Sequence, residues 1–305
     1  MKYQVTLALI LTVTCGTPAT ADTAAGLAAY QRGDYAKALK EYSAAAAEGD
    51  LAAYSGLGML YEHGFGVAKD ESQAAVWFRK AADRGSADGE SNLGTMYLMG
   101  HGVPQDDQMA FAWFSKAAAQ GDSGAEFNLG MLYHLGRGVP RDESQAFVWY
   151  QKAAVQGLPP AQYSVGQDYA FGTGVQADDA MAFGWYEKAA DQGLPSAEAD
   201  LGVMYVTGRG GMQNDAEAVS WFRKSAIQGY PLGLLDLAQA YLVGRGVSQD
   251  YGAAFVMLSL AANAGLNQAA LLRDRVAPML TTGQMAEAKT TIAAWHPGAA
   301  LPGAM

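Results

Sequence analysis

Glycine pairs separated by one residue are the feature of this sequence that most resembles a chemical motif. They occur six times at a spacing of 36 residues, with first members at Gly64, Gly100, Gly136, Gly172, Gly208 and Gly244. A glycine-rich loop binds phosphate when a strand precedes it and a helix follows it. Here the apolar residues on both sides recur with helical spacing. We therefore interpret the six pairs as turns between helices.

Catalytic and metal-binding patterns are missing elsewhere in the sequence. The four histidines, His63, His101, His134 and His296, do not have metal-site spacing. No H-E-x-x-H, G-x-S-x-G or S-x-x-K pattern occurs. Recurrent aspartates stand near predicted helix starts, where a carboxylate caps the helix, at Asp70, Asp106, Asp142, Asp178 and Asp250. The sequence therefore predicts no enzyme, no cofactor and no metal.

The elements that carry these residues repeat every 36 positions. Five of the six tryptophans keep this spacing, at Trp77, Trp113, Trp149, Trp185 and Trp221. Such self-similarity is typical of repeat architectures. Six full repeats follow, at 51–86, 87–122, 123–158, 159–194, 195–230 and 231–266.

Each repeat is predicted to contain two helices. In 123–158, apolar residues at four-residue steps favour a first helix, the segment LGRGVPRD interrupts it, and a second helix carries Trp149. Glycines such as Gly130 lie inside the first helices, where we expect them to admit the paired helix closely. We expect the tryptophans to fill the space between repeats, with Trp149 at a buried inter-helix position.

The N-terminal segment 1–21 resembles a signal peptide, with Lys2, an apolar run and an Ala19-x-Ala21 pattern. A buried N-terminal helix and lipidation of Cys15 are the alternatives. We predict cleavage, and a periplasmic or secreted protein whose mature form lacks cysteine. No later segment is long and apolar enough for a transmembrane anchor.

The ends of the array differ from its middle, as solenoid ends do. Residues 22–50 form a shortened N-terminal repeat in which Ala38 and Gly49 keep the register but five loop residues are missing. Residues 267–296 are predicted to form C-terminal capping helices, with a capping box at Thr281 and Gln284. We expect 297–305 to be a disordered tail.

The pattern NLGMLYHLGRGVPRDESQAFVWYQKAAVQG in the third full repeat resembles the Sel-1-like repeat (SLR) family, a relative of tetratricopeptide repeats. The resemblance covers about 25–266. It implies an all-α, right-handed superhelical α-solenoid of antiparallel helix pairs. It also implies a non-catalytic scaffold or regulator, often in the bacterial envelope. Some cysteine-rich members are associated with β-lactam binding or hydrolysis, but Cys15 is the only cysteine here.

The resemblance to tetratricopeptide repeats suggests that three columns of the first helices face a concave groove. The first column directly precedes the recurrent Leu-Gly position, the second directly follows it, and the third lies two residues after the recurrent tyrosine. The candidate partner-binding residues are Asn92, Asn128, Ser164, Asp200 and Asp236, then Thr95, Met131 and Gln167, then Met99, Leu135 and Phe171.

The expected partner is a peptide or helix of another envelope protein, bound over the second to fourth full repeats. Asparagine donates and accepts hydrogen bonds at once, which suits an extended backbone. Peptidoglycan or another envelope glycan is the alternative ligand. Hydrolysis of β-lactams is a further, less favoured, alternative function. The net charge of −10 opposes binding to nucleic acid.

Overall fold

The computed structural model describes residues 21–303, and within this range the chain forms sixteen α-helices, one 3-10 helix and no strand. The first eight helices are α1 (Ala21–Gln31), α2 (Tyr35–Ala47), α3 (Leu51–His63), α4 (Glu71–Ala82), α5 (Ala87–Met99), α6 (Asp107–Ala119), α7 (Ser123–Leu135) and α8 (Glu143–Val155). The next eight are α9 (Pro159–Phe171), α10 (Asp179–Asp191), α11 (Pro195–Thr207), α12 (Asp215–Ile227), α13 (Pro231–Val243), α14 (Tyr251–Asn263), α15 (Asn267–Val276) and α16 (Thr282–Ala294). The predicted all-α solenoid of 36-residue helix pairs is confirmed.

The helices belong to two compact units, Met1–Gln156 and Gly157–Met305. In the first unit, α1 pairs with α2, α3 with α4, α5 with α6, and α7 with α8, and the second helix of each of the first three pairs packs against the next first helix. The second unit repeats this arrangement from α9 to α14, and α15 and α16 pack against α14. The predicted signal peptide lies almost entirely outside the described residues.

Side-chain caps and glycines set the ends of the helices. Asp142 is the N-cap of α8, where its side chain accepts a hydrogen bond from the backbone N–H of Gln145, and this satisfies a donor that the helix itself leaves unpaired. The other recurrent aspartates, Asp70, Asp106, Asp178 and Asp250, cap their helices in the same way. First helices end at a left-handed glycine, such as Gly136 with φ +67°.

Within each unit, contact with the preceding repeat requires the second glycine of the turn, at Gly66, Gly102, Gly138, Gly210 and Gly246. A Cβ atom on Gly138 would lie 2.2 Å from the backbone oxygen of Asp107 at the start of α6. Beside it, the Arg137 guanidinium binds both carboxylate oxygens of Asp107, at 2.9 and 2.6 Å, and the Leu98 carbonyl at 3.2 Å. In the second unit, Arg209 and Asp179 form the corresponding pair at 2.5 Å. These turns therefore act as clamps, which means that each one holds its repeat against the preceding repeat. The sequence analysis did not predict this contact.

The glycines inside the first helices do admit the paired helix. A Cβ atom on Gly130 would lie 2.5 Å from the Tyr150 ring, and one on Gly94 would lie 2.8 Å from the Phe114 ring. The aromatic residue that directly follows each tryptophan therefore occupies the centre of the helix pair. Phe114 is fully buried.

The tryptophans lie at repeat boundaries as expected, but Trp149 is less buried than a central inter-helix position implies. Trp149 is half-buried against a cluster that contains Phe114, Leu129 and Leu132. The Lys152 ammonium nitrogen covers its ring at 3.6 Å from the ring centre. The other four recurrent tryptophans also have a lysine ammonium over the ring, so each indole combines packing with a cation–π contact.

The C-terminal residues 297–303 correct the expectation of a disordered tail. Leu301 is 3% exposed and belongs to the same buried cluster as Phe222 and Tyr241. The Tyr241 hydroxyl donates to the Gly303 carbonyl at 2.8 Å, and the Gly298 N–H donates to the Ile227 carbonyl at 2.7 Å. Burial of one leucine and these hydrogen bonds hold the segment against α12 and α13. The predicted capping box of Thr281 and Gln284 is present on α16.

Candidate functional site

The three candidate columns form one face of the first helices. In each first helix, the three candidate positions are three and then four residues apart, and such spacing places side chains on the same side of a helix. In α7 these positions hold Asn128, Met131 and Leu135. We call the surface formed by these positions the first-helix face and describe it separately for each unit.

In the first unit, much of the first-helix face is covered in the free chain. Thr95 is 7% exposed, Met131 is 5% exposed and Asn128 is 4% exposed, whereas Asn92 is half-buried. Mid-helix side chains pack against the neighbouring helix pair, as Met59 does in a cluster with Leu93 and Met96. Thr95, Met131 and Asn128 are therefore largely covered in this structure, and their role in partner binding stays a prediction.

The outer column of the first unit is open to solvent. Met99 is 38% exposed and Leu135 is 41% exposed, each at the last residue of its helix. His63 occupies the same column and is also exposed. The ends of the first helices therefore present large apolar side chains, while the middles contribute to the core.

In the second unit, the same face is more polar and more accessible. Ser164 and Gln167 are half-buried on α9, and Phe171 at the end of this helix is 68% exposed. On α13 the outer position holds Val243, which is 69% exposed. The second unit therefore places exposed apolar side chains beside polar ones.

A hydrogen-bonded chain connects two helices of this face. The Tyr163 hydroxyl donates to the Asp200 carboxylate at 2.8 Å, and the Gln167 amide donates to the Tyr163 hydroxyl at 3.0 Å. Burial raises the pKa of Tyr163, and the nearby Asp200 raises it further. Sequence reasoning missed Tyr163; the available signal was a single tyrosine in a column that otherwise holds Ser55, Ser91, Phe127, Ala199 and Leu235.

Two carboxylates on this face repel each other. Burial raises the pKa of Asp236 to about 7, and the Asp200 carboxylate adds to the shift. Burial also raises the pKa of Asp200, although the hydrogen bond from Tyr163 opposes this change. Near neutral pH, a hydrogen-bond donor or a cation would therefore stabilise the ionised form of the Asp236 carboxyl group.

The described residues offer no arrangement for metal binding or for the catalytic patterns considered above. Within residues 21–303, no group of three or more histidine, cysteine, aspartate or glutamate side chains could hold a metal ion. Over the same range, no helix has the length and apolar character needed to cross a bilayer. The first-helix face combines hydrogen-bond donors and acceptors with exposed apolar side chains.

Comparison with known proteins decides the family. The model of the Sel1 repeat matches six consecutive segments, at residues 51–86, 87–122, 123–158, 159–194, 195–230 and 231–266. The chain belongs to the Sel1 repeat family. Sel1 repeat proteins generally mediate protein–protein interactions and are generally non-catalytic scaffolds. No curated protein matches the chain.

Two solved Sel1-type structures share its fold. A protective antigen of uropathogenic Escherichia coli that displays an SLR fold is 38% identical, with a TM-score of 0.74 over 84% of this chain. The match spans only 56% of that antigen. A Sel1 repeat protein of Oxalobacter formigenes is 29% identical, with a TM-score of 0.71 over 80% of this chain and 97% of the other.

Proposed function

We propose that this Sel1 repeat protein is a non-catalytic scaffold or regulator in the bacterial cell envelope. It binds a peptide or helix of another envelope protein on the first-helix face. The envelope location rests on the signal-like pattern of residues 1–21. The mode of binding rests on the exposure of the first-helix face.

The observation that carries the proposal is the exposed apolar side chains at the ends of the first helices. In the second unit, Phe171 and Val243 are 68% and 69% exposed, although large apolar side chains gain from burial. At about 25 cal/mol per Å², covering the Phe171 ring contributes roughly 2–3 kcal/mol to binding. Buried aromatic side chains are also the residues that most often dominate the binding energy of an interface.

The polar positions restrict which partner fits. Asp200 and Asp236 present carboxyl oxygens, which accept hydrogen bonds when ionised. A donor or a positive charge on the partner stabilises the ionised form of Asp236, whose pKa burial raises to about 7. The matching partner segment therefore combines apolar side chains with donors or cations.

The test compares partner capture by face variants with capture by a control. The tagged chain is incubated with detergent-solubilised envelope fractions, and bound proteins are quantified by mass spectrometry. Phe171→Ser and Val243→Ser should each reduce recovery of the partner at least tenfold. Val155→Ser is the matched control, since Val155 is 73% exposed but lies at the end of a second helix. Equal recovery by all variants would reject the first-helix face.

A further inference from the structure

The first full repeat differs from the next four repeats at one pair of side chains. In the second repeat, the Gln120 amide donates to the Glu90 carboxylate at 2.7 Å. The corresponding positions in the first repeat hold Tyr54 and Arg84, where the guanidinium Nη1 donates to the tyrosine hydroxyl at 3.1 Å. The guanidinium carbon also lies 5.2 Å from the centre of the Tyr54 ring. This substitution exchanges a carboxylate and an amide for an aromatic ring and a cation.

An open cleft lies beside this pair. Its volume is about 580 Å³, and residues of α2, α3 and α4 form its walls. Small side chains of α2 leave it open, and Ser43 stands at the position that Arg79 occupies one repeat later. The Arg79 side chain donates to the Tyr97 hydroxyl and so fills that later position. The side chains that α2 contributes to the cleft, Ser43, Ala46 and Ala47, are all small.

The walls of the cleft combine aromatic rings with cations. The Tyr54 and Trp77 rings stack with centres 5.8 Å apart, and Leu57 lines the cleft beside them. The Lys80 ammonium nitrogen lies 3.7 Å from the Trp77 ring centre. Lys80 and Arg84 are both exposed. A chain of net charge −10 thus has a local concentration of positive charge beside an apolar surface.

The cations of the cleft have no carboxylate partner. Among the ion pairs of the described residues, neither Lys80 nor Arg84 takes part in one. Asp83 is the acidic residue in the lining, and it too is exposed and lies outside these ion pairs. A guanidinium group has five N–H donors in a planar fork that matches a carboxylate. Arg84 can therefore keep its contact with Tyr54 and still bind an incoming carboxylate.

We propose that this cleft binds an acidic peptide segment of a partner protein. A glutamate or aspartate carboxylate of the segment pairs with Arg84 and Lys80, and a neighbouring apolar side chain packs on Leu57 and the two rings. An open cleft suits a surface segment of a polypeptide, because exposed walls leave room for a continuing chain. The site is separate from the first-helix face, since its α3 residues, Tyr54 and Leu57, lie outside the three columns that form that face, so either proposal can fail without the other.

The test uses a defined peptide and its neutral analogue. We propose nuclear magnetic resonance titration of the full chain with capped GLEELG, following the indole N–H of Trp77. The amide analogue, capped GLQQLG, is the matched probe without carboxylates. The acidic peptide should bind at least tenfold more tightly than its analogue. Equal binding of the two peptides would overturn the proposal. It would also be overturned if millimolar inorganic phosphate displaced acidic peptides of every length equally well.

A double variant introduces the residue pair of the second, third and fifth repeats. Tyr54→Glu with Arg84→Gln introduces a hydrogen bond of the kind that Gln120 donates to Glu90. We therefore expect this variant to fold. It should weaken binding of GLEELG at least tenfold, and unchanged binding would contradict the assignment. Lys80→Gln is the second variant, since its exposed side chain tolerates substitution, and it should weaken binding several-fold. Lys152→Gln changes the same kind of lysine–tryptophan pair in another repeat and should leave binding unchanged.

Discussion

The clamp between successive repeats gives the sharpest prediction about stability. Gly138 and Gly121 both have positive φ, at +69° and +85°. A Cβ atom at Gly138 would lie 2.2 Å from the backbone oxygen of Asp107, whereas nothing lies within 4 Å of one at Gly121. Alanine at either position therefore meets the same kind of backbone strain, but only alanine at 138 also collides with a neighbouring helix.

The expected magnitudes follow from these two effects. Left-handed backbone costs an alanine about 1–2 kcal/mol, and the reduced entropy of the unfolded chain returns part of this at both positions. We therefore expect Gly121→Ala to lower the free energy of unfolding by about 1 kcal/mol. Overpacking typically costs a further 1–3 kcal/mol, so Gly138→Ala should lower it by about 3 kcal/mol.

Urea unfolding, followed by circular dichroism and by tryptophan fluorescence, measures both changes. Repeat arrays can unfold in more than one step. The two variants are therefore compared if each keeps the wild-type slope of unfolding free energy against urea concentration. The reasoning predicts a difference of about 2 kcal/mol between Gly138→Ala and Gly121→Ala. Losses that agree within about 0.5 kcal/mol would show that the turn does not clamp the preceding repeat.

Four further substitutions test the core and the buried carboxyl groups. Phe114→Ala should lower the free energy of unfolding by about 3–5 kcal/mol, and by more than Trp149→Ala, because Phe114 is fully buried and Trp149 is not; equal melting shifts would contradict this order. Burial raises the pKa of Glu126. The ionised Glu126 side chain therefore destabilises the folded chain increasingly as pH rises from about 4 through that raised pKa. Glu126→Gln should stabilise the chain at pH 7 but not at pH 4 in parallel urea titrations. Asp236→Asn should stabilise the chain by on the order of 1–2 kcal/mol at pH 8.5 and by much less at pH 5, because burial raises the pKa of Asp236 to about 7; a gain independent of pH would exclude ionisation as its cause.

A natural control supports the Glu126 prediction. Glu126 accepts a hydrogen bond from the Gln156 amide at 2.7 Å. The corresponding positions in the next repeat hold Gln162 and Gln192, which form the same bond at 2.8 Å. Glutamine therefore fits this position without a change of geometry, and Glu126→Gln removes the ionisable group alone.

The sequence predicts what recurs in this protein better than what occurs once. Helix pairs, capping aspartates and the glycines that admit an aromatic ring each recur at 36 residues, so five or six copies average out local exceptions. The discrepancy at Trp149 has another origin, since periodicity shows that a residue is structural but does not show how deeply it is buried. Phe114 follows a tryptophan directly and is the more buried of the two residues.

Features built from unique residues were harder to predict. The tail is ordered by contacts such as that between Tyr241 and Gly303, which are 62 residues apart, and no local pattern reports such a contact. Tyr163 bridges two repeats because of one tyrosine at a variable position. The cleft beside Arg84 lies where the first repeat differs from the hydrogen-bonded pair of the next four repeats. In a regular array, departures from the repeat indicate candidate sites once the register is known.

Site-specific crosslinking tests the central claim most directly. Benzoylphenylalanine placed at Phe171 on the first-helix face, or at Val155 on a second helix, is irradiated in the presence of the solubilised envelope fraction. Both side chains are strongly exposed, at 68% and 73%, so the two positions differ in the face on which they lie. The account predicts a discrete adduct with one partner from position 171 and none of that mass from position 155. The same adduct from position 155, with none from position 171, would contradict binding on the first-helix face.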